Sequence, residues 1–145
     1  MLVKVDDPDR LIHALRRFAF DYHRQVAAFG EANSLHPTDV RALVALLDAE
    51  RAGMAATPGW LGKQLSISPA SATALVDRMV TAGRVTRVPD RSDRRRTRLQ
   101  VTASAKRMGE AFFAPVLGPL RSAAAGLTES QAAAFMRVLG TLADE

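Results

Sequence analysis

The excess positive charge of the chain is concentrated in one segment, Arg84 to Arg98. This segment contains seven arginines against two acidic residues, Asp90 and Asp93. Without it, the 20 basic and 15 acidic residues of the chain fall to 13 of each, so the segment carries the whole formal net charge of +5. Clustered guanidinium groups suit a polyanion, because every phosphate that they neutralise releases counterions. The alternative is a solvated arginine loop without a partner.

Other residue types form no pattern that would support catalysis or metal binding. The chain has no cysteine, which excludes disulfides, thiolate zinc sites and thiol redox switches. His13 and His23 are ten residues apart and lie on different faces of a helix. The sequence has no His-x-x-x-His pair, phosphate-binding glycine loop or Gly-x-Ser-x-Gly motif. We therefore expect no enzyme, no metal and no cofactor.

Two short helices are predicted immediately before the arginine-rich segment. Thr57-Pro58 and Ser68-Pro69 each place a capping residue before a proline at the first helical position. Ser66-Ile67-Ser68 separates the two helices, and Gly83 ends the second. The spacing of apolar residues gives the second helix a buried stripe of Ala72, Leu75, Val76 and Met79. Together these helices predict a helix-turn-helix.

The arginine-rich segment itself predicts a β-hairpin. Val85 to Val88 has the β-branched character of a strand, and Pro89 ends it. Thr97 to Val101 alternates polar and apolar residues, so it is the returning strand. The polar stretch Asp90 to Arg96 forms the tip. The predicted fold class is therefore mainly α with a small β-hairpin, a winged helix-turn-helix whose wing is this hairpin.

Further helices are predicted on both sides of this module. A second helix begins at His36-Pro37, and a later one begins at Thr102. Pro115 and Pro119 predict a kink or break of that later helix near Ala114. The first helix has an apolar stripe, which is typical of core or of an interface with another helix: Leu11, Leu15, Phe18, Tyr22, Val26 and Phe29. Thr128 to Gln131 has the spacing of a capping box, so a last helix starts there.

The composition predicts a folded, helical protein of the cytoplasm. Hydrophobic residues make up 48% of the chain and aromatic residues only 6%, which favours packed helices over a sheet sandwich. No apolar run approaches the roughly 18 residues that span a bilayer. Asp6-Asp7 makes the N-terminus acidic before a secretory signal could form. We expect no membrane partner.

These segments resemble the multiple-antibiotic-resistance regulator (MarR) family of bacterial transcription factors. Leu61 to Ser68 is similar to the first DNA-binding helix and turn of the family. Ala72 to Met79 and Ala82 to Arg87 are similar to its recognition helix and the following strand. Asp90-Arg91-Ser92-Asp93-Arg94-Arg95 is similar to its wing signature, and Val101-Thr102 follows as expected. The order of elements matches over essentially the whole chain.

Two residues depart from the family pattern. Ser92 stands where many members have a basic residue or proline, and Ala105 stands where most have glycine. The resemblance implies one domain, residues 1–145, with dimerisation helices in 1–34 and 103–145 and a DNA-binding lobe in 35–102. It further implies a homodimer on palindromic double-stranded DNA. It implies a repressor more often than an activator, and in many members a small aromatic or phenolic effector that releases the DNA.

The resemblance gives the second helix of the pair the role of reading DNA. Small exposed residues would let it sit deep in the major groove, where base edges are distinguishable. Ser71 and Thr73 would bond bases or phosphate, while Ser68 would hold phosphate or act only as the helix cap. Arg78 would reach the DNA backbone or pair with Asp77 or Glu110. The predicted contacts of this helix are Ser68, Ala70, Ser71, Thr73, Ala74 and Arg78.

The tip of the hairpin supplies the remaining predicted contacts. Arg94 would insert into the minor groove, where narrow A/T stretches concentrate negative potential. Asp93 would orient Arg94 or Arg95 through a bidentate pair. Arg91, Arg95 and Arg96 would contact phosphates.

Four residues predict either an effector pocket or ordinary aromatic core: His13, Phe18, Tyr22 and Trp60. Two other functions stay open at this point. A winged helix also serves as a protein-interaction module that reads no DNA, although such a module does not need an arginine tip. A small-molecule enzyme on a helical dimer lacks any nucleophile–base pair or metal set in the sequence.

Overall fold

A computed structural model describes residues 7–142 of the chain. Within them lie α1 (Pro8–Ala32), α2 (Pro37–Arg51), α3 (Pro58–Leu65), α4 (Pro69–Thr81), β1 (Val85–Pro89), β2 (Thr97–Val101), α5 (Ala103–Ala125) and α6 (Glu129–Gly140). The two strands form one antiparallel sheet. The chain divides into two compact units, Met1–Gly109 and Glu110–Glu145. The predicted mainly helical class with a small hairpin is confirmed.

Capping residues determine where the helices begin. Asp7, Thr57, Ser68 and Thr128 each accept a backbone N–H from the first turn of the helix that follows. The capping box predicted at Thr128 is present, because Gln131 in return accepts the Thr128 N–H. These caps confirm the predicted starts of α3, α4 and α6.

Residues with a positive φ angle follow the ends of helices α3 and α4. Ser66, at the end of α3, has a φ of +54° and forces the sharp change of direction before α4. Gly83 has a φ of +69°, which glycine adopts without strain, and it separates α4 from β1.

A single apolar cluster holds the helix pair and the hairpin together in the first unit. Its largest fully buried side chains come from α2, α3, α4 and the start of β1: Leu46, Leu61, Val76, Met79 and Val85. The predicted stripe of α4 is buried at every position. The segment before α3 also contributes, because the Ala56 carbonyl accepts the Leu99 N–H at 2.7 Å. The core therefore fixes α4 and the hairpin to one scaffold.

The turn between α3 and α4 depends on one close approach. A Cβ built on Gly62 would lie 3.1 Å from the Cβ of Ala72, which is tighter than ordinary van der Waals contact. The Gly62 carbonyl also accepts the Ile67 N–H at 3.0 Å, so it holds the turn residues. Glycine here lets the two helices pack closely enough to share the core.

Of the kink or break predicted near Ala114, the break is wrong. Helix α5 runs without interruption from Ala103 to Ala125 and contains both Pro115 and Pro119. Each proline removes one backbone donor, and the helical bonds on either side keep the element continuous. No helix within residues 7–142 is both long and apolar enough to cross a bilayer.

The first and last helices leave large apolar side chains in solvent. In the first unit, α1 buries only Phe29 and Gly30; Phe20 is 73% exposed, and Phe18 of the predicted stripe is 47% exposed. In the second unit, α6 buries none of its residues, and Met136 is 64% exposed. The apolar stripe predicted for α1 is thus mostly not core of a single chain. Its exposure favours the other interpretation, an interface with another helix.

Candidate nucleic-acid interface

Helix α4 presents a face of small and polar residues to solvent. Its buried stripe lies on one side, so the remaining positions point outward. All residues predicted to face outward are exposed: Ala70, Ser71, Thr73, Ala74, Asp77 and Arg78. No bulky apolar side chain stands among them. This face can approach a partner surface closely.

The hydroxyl groups at the start of α4 are already engaged within the helix. The Ser68 hydroxyl accepts the Ser71 N–H at 3.1 Å and donates to the Ser71 Oγ at 2.9 Å. The Thr73 hydroxyl donates to the Pro69 carbonyl at 3.0 Å. Ser68 is therefore the N-cap of α4, a role that agrees with both of its predicted interpretations. The Thr73 oxygen keeps its acceptor capacity, and its methyl group remains available for apolar contact.

Arg78 has a partner that the sequence did not suggest. Its guanidinium binds the carboxylate of Asp39 on α2, with distances of 2.5 Å and 3.4 Å. Asp77, one of the two predicted partners, instead binds Arg87. The hydrogen bond to Asp39 raises the pKa of Arg78, partial desolvation opposes the rise, and the charge of Asp39 adds to it. Arg78 thus connects α4 to the core helix α2.

The pair of Asp77 and Arg87 links α4 to the hairpin. Asp77 lies on the exposed face of α4, and Arg87 lies in the middle of β1. Their side chains meet at 2.5 Å. Both are partly exposed, so the pair orients the two elements more than it stabilises them.

The hairpin holds its tip in solvent. The strands pair from Val85 with Val101 to Pro89 with Thr97, which leaves Asp90 to Arg96 as the connection. Pro89 is the last paired residue of β1, so it ends the strand as predicted. All predicted tip residues are exposed: Arg91, Asp93, Arg94, Arg95 and Arg96. Among residues 7–142, the four arginines of this group take part in none of the ion pairs within 4 Å.

The two aspartates of the tip shape its backbone. The carboxylate of Asp93 accepts the backbone N–H of Arg95 at 3.0 Å, and the Asp93 carbonyl accepts the Arg96 N–H. Among residues 7–142, no ion pair joins Asp93 to an arginine side chain, so the predicted bidentate pair is not formed. A backbone N–H two residues away is a fixed donor in a turn, whereas a guanidinium must lose side-chain freedom to bind.

Ser92, the departure from the family pattern, has a local role in this turn. Its N–H and its hydroxyl both donate to the Asp90 carboxylate at 3.0 Å. These hydrogen bonds lower the pKa of Asp90; partial desolvation opposes the shift, and the charges of Arg98 and Arg96 add to it. The Asp90 N–H also donates to the Arg96 carbonyl, which closes the tip.

Glu50 supports the base of the hairpin and was not found from the sequence. One carboxylate oxygen accepts the Val101 N–H at 2.9 Å, and the other binds the Lys106 ammonium at 2.5 Å. Thr102 caps α5, as predicted, by accepting the Ala105 N–H, and its hydroxyl donates to the Gly83 carbonyl. The hairpin is thus anchored to α2 and α5 at the end away from the tip.

An open cleft of about 970 Å³ lies in the first unit, lined from α1, α2 and α3. Three of the four predicted pocket residues line it: Phe18, Tyr22 and Trp60. The rings of Phe18 and Tyr22 are stacked, with centroids 5.9 Å apart. His13 is exposed on α1 and does not line the cleft, whereas His23 does. Polar groups in the lining include Arg41, Asp48 and Gln64.

Asp39 is the most informative residue that sequence reasoning missed. It lies in the first turn of α2, where an acidic residue normally serves the helix start, and its carboxylate does accept the His36 N–H. A signal was available, because Asp39, Leu43 and Leu46 follow at helical spacing and both leucines are buried. A carboxylate on a buried face requires a cationic partner.

The sequence profile of the MarR family matches residues 33–96. The uncharacterized HTH-type transcriptional regulator YcgE of Bacillus subtilis is 32% identical over 117 residues, which are 81% of this chain and 73% of YcgE. The chain belongs to the MarR family. Members of this family are transcription regulators, not enzymes, and the recognition made from the wing and helix motifs is confirmed.

Solved structures share the fold of this MarR-family chain at low identity. MepR of S. aureus, solved with DNA and with ethidium bromide, is 16% identical with a TM-score of 0.59 in both structures. These matches cover 90% of this chain and 95% and 91% of the MepR chains. The transcriptional regulator Tm0710 from Thermotoga maritima is 21% identical with a TM-score of 0.63, and the match covers 92% of each chain. The predicted winged-helix fold class is confirmed.

The turn at the tip should lose its order only in acid. Because the folded-state pKa of Asp90 is lowered, its stabilisation is present above the pKa of an unfolded aspartate and is lost as the pH falls through the folded value. We expect the Ser92 amide resonance in NMR spectra to move through that acidic range and to stay constant at neutral pH. Asp90→Asn keeps an acceptor for Ser92 and should abolish the titration. If the Ser92 amide resonance of Asp90→Asn still moved with pH in that range, Asp90 would not be the group that controls it.

Proposed function

We propose that this MarR-family regulator binds double-stranded DNA through α4 and the tip of the hairpin. Two features of the same unit support the proposal. One is the exposed face of small residues on α4, and the other is the group of four exposed tip arginines that have no ion-pair partner among residues 7–142. Asp77 and Arg87 link the helix to the strand that leads to the tip. A helix and a cationic loop fixed in this way suit a major groove and its neighbouring minor groove.

Within this proposal, α4 reads the major groove. Ala70 and Ala74 let the helix approach the base edges, because their side chains are short. Ser71 and the methyl group of Thr73 contact bases, while Ser68 and the backbone at the start of α4 bind a phosphate. The positive end of the helix dipole adds to that phosphate contact.

The tip supplies phosphate affinity and one minor-groove contact. Arg91, Arg95 and Arg96 bind phosphates, and Arg94 enters the minor groove. The backbone bonds of Asp90 and Asp93 keep the turn compact without occupying the guanidinium groups. Asp93 therefore acts through the shape of the turn.

The regulator is proposed to act as a homodimer on a palindromic operator. Most of its exposed large apolar side chains within residues 7–142 lie on α1 and α6, the first and last helices that the family resemblance assigns to dimerisation. Phe20 and Met136 are the most exposed large apolar residues of these helices. Burying such apolar surface against a second copy contributes about 25 cal/mol of free energy per Å², and this contribution is absent while the side chains remain in water.

We further propose that the regulator is a cytoplasmic repressor released by a small aromatic ligand bound in the cleft. The stacked rings of Phe18 and Tyr22 and the indole of Trp60 suit a planar apolar body. Arg41, Asp48 and Gln64 offer polar groups that orient such a ligand. MepR was solved with ethidium bromide, a planar aromatic compound, which supports this ligand class by analogy.

Removing the charge of Arg94 should weaken DNA binding and its salt dependence. Each lost phosphate-proximal charge lowers the slope of log affinity against log salt concentration by about one. We expect Arg94→Ala to show this in fluorescence anisotropy titrations with a duplex. Arg51→Ala, which removes an exposed charge from the end of α2, should leave the slope unchanged. Wild-type protein that binds no duplex at low salt would contradict the proposal and favour a protein-docking winged helix.

A charge on α6 should split the proposed dimer. Burying a phenylalanine contributes about 1.5–3 kcal/mol, so Phe135→Glu should weaken dimerisation by tenfold or more. Sedimentation velocity of wild type and variant at matched concentrations measures this. Ser130→Glu adds the same charge at another exposed position of α6 and should leave the dimer intact. A dimer that survives Phe135→Glu unchanged would place the interface elsewhere.

The cleft should bind a planar aromatic probe. We expect ethidium bromide, followed by its own emission, to bind the wild-type protein and to bind Phe18→Ala about tenfold more weakly, since an aromatic pair and its buried area are lost. His13→Ala changes a residue of the same helix outside the cleft and should bind like wild type. Absence of binding, or equal loss in both variants, would contradict the proposed site.

A further inference from the structure

We infer that Asp39 is a positioning residue for α4: it holds Arg78, and through Arg78 it fixes the angle at which the helix reads DNA. This inference rests on the proposed DNA-binding function. It reassigns Arg78, for which the sequence leaves open a contact with the DNA backbone or an ion pair with Asp77 or Glu110. It also gives a role in recognition to Asp39, a residue that lies on another helix and does not face the DNA.

Asp39 is almost completely enclosed. It is 2% exposed, and no other charged residue within residues 7–142 is buried. One carboxylate oxygen binds the Arg78 terminal nitrogen, and the other accepts the His36 N–H at 3.1 Å and the Arg78 Nε at 3.4 Å. Both oxygens are therefore satisfied, and two of the three donors come from Arg78.

Burial decides which partner Arg78 keeps. The Arg78 side chain is 47% exposed, so a phosphate could compete for it in principle. Moving Arg78 to a phosphate would leave the Asp39 carboxylate buried with one backbone hydrogen bond and no cation. Uncompensated buried charges are strongly unfavourable, whereas an ion pair between solvent-exposed groups contributes much less than the loss of a buried carboxylate's partner. Arg78 therefore stays with Asp39 when DNA is bound.

The ion pair of Arg78 with Asp39 lies at the opposite end of α4 from the proposed DNA contacts, so it can control their orientation. Arg78 lies in the last turn of α4, and the proposed DNA contacts Ser68 and Ser71 lie at the start. The other side-chain link from α4, between Asp77 and Arg87, joins two exposed groups and is screened by solvent. The shielded pair with Asp39 fixes the end of α4 to the core helix α2. Small rotations at that end become displacements of the reading residues.

Two variants and their combination test the inference. Asp39→Asn keeps the shape and an acceptor for His36 but removes the charge, and Arg78→Gln removes the guanidinium from the exposed side. We expect each to bind the operator duplex obtained by selection about tenfold more weakly, the effect of losing about one base contact. The double variant should bind no more weakly than either single one, since both remove the same interaction.

The salt dependence separates positioning from direct contact. Affinity for a scrambled duplex and the slope of log affinity against log salt should remain as in wild type for both variants. Arg78→Lys, which retains a charge for Asp39, should recover part of the operator affinity. A slope that falls by about one in Arg78→Gln, with normal binding by Asp39→Asn, would overturn the inference and make Arg78 a phosphate contact.

Hydrogen exchange without DNA keeps this test independent of the proposed function. Backbone amides of α4 should exchange faster in Asp39→Asn and Arg78→Gln than in wild type, because the helix end is released. Unchanged α4 protection in both variants would overturn the inference even if wild type bound no DNA. If either single variant fails to fold, Arg78→Lys, which keeps a cation for Asp39, and the double variant, which leaves no buried charge unpaired, still decide the outcome.

Discussion

Burial of one side of α4 is the constraint on which the proposed interface depends. Ala72, Leu75, Val76 and Met79 are all enclosed by the core, and a helix with one buried side has only the opposite side to offer. Close packing against α3 is possible because Gly62 carries no side chain. Core packing therefore selects which residues of α4 can meet a partner, before any charge is considered. Substitutions in this core would change recognition without touching the exposed face.

Electrostatics then divides the charged residues into two groups. Asp39 and Glu50 pair with Arg78 and Lys106, whose side chains are partly exposed, and these pairs help to set the positions of α4 and of the hairpin base. At the tip, the acidic groups bind backbone N–H groups, so the neighbouring arginines keep their charge unpaired. Like charges repel at this density, and the tip is held by backbone hydrogen bonds despite that repulsion. A polyanion would relieve the repulsion, which is the physical reason for expecting one there.

Local signals predicted most of the fold, and long-range pairs lay beyond them. Capping residues followed by proline gave the starts of α3 and α4, and alternating residues gave the strand at Thr97. The pairing of Asp39 with Arg78 spans 39 positions, and sequence spacing carries no information about such distances. Asp93 had two possible donors close by, and only the geometry of the turn decides between a backbone N–H and a guanidinium. Exposure of α1 and α6 equally depends on packing that a stripe of apolar residues does not specify.

Selection of DNA from a pool of randomised duplexes with the full chain is the most direct test of the central claim. That claim is that α4 and the cationic tip, held on one scaffold, read DNA together. We predict enrichment of an inverted repeat with half-sites about one helical turn apart, roughly 10–10.5 base pairs between centres. We also predict A/T-rich positions flanking each half-site, where a narrow minor groove favours an arginine such as Arg94. The opposite result is a selected pool with the same base composition as the starting pool, at salt concentrations where the protein binds DNA. That result would contradict sequence-specific reading by this surface.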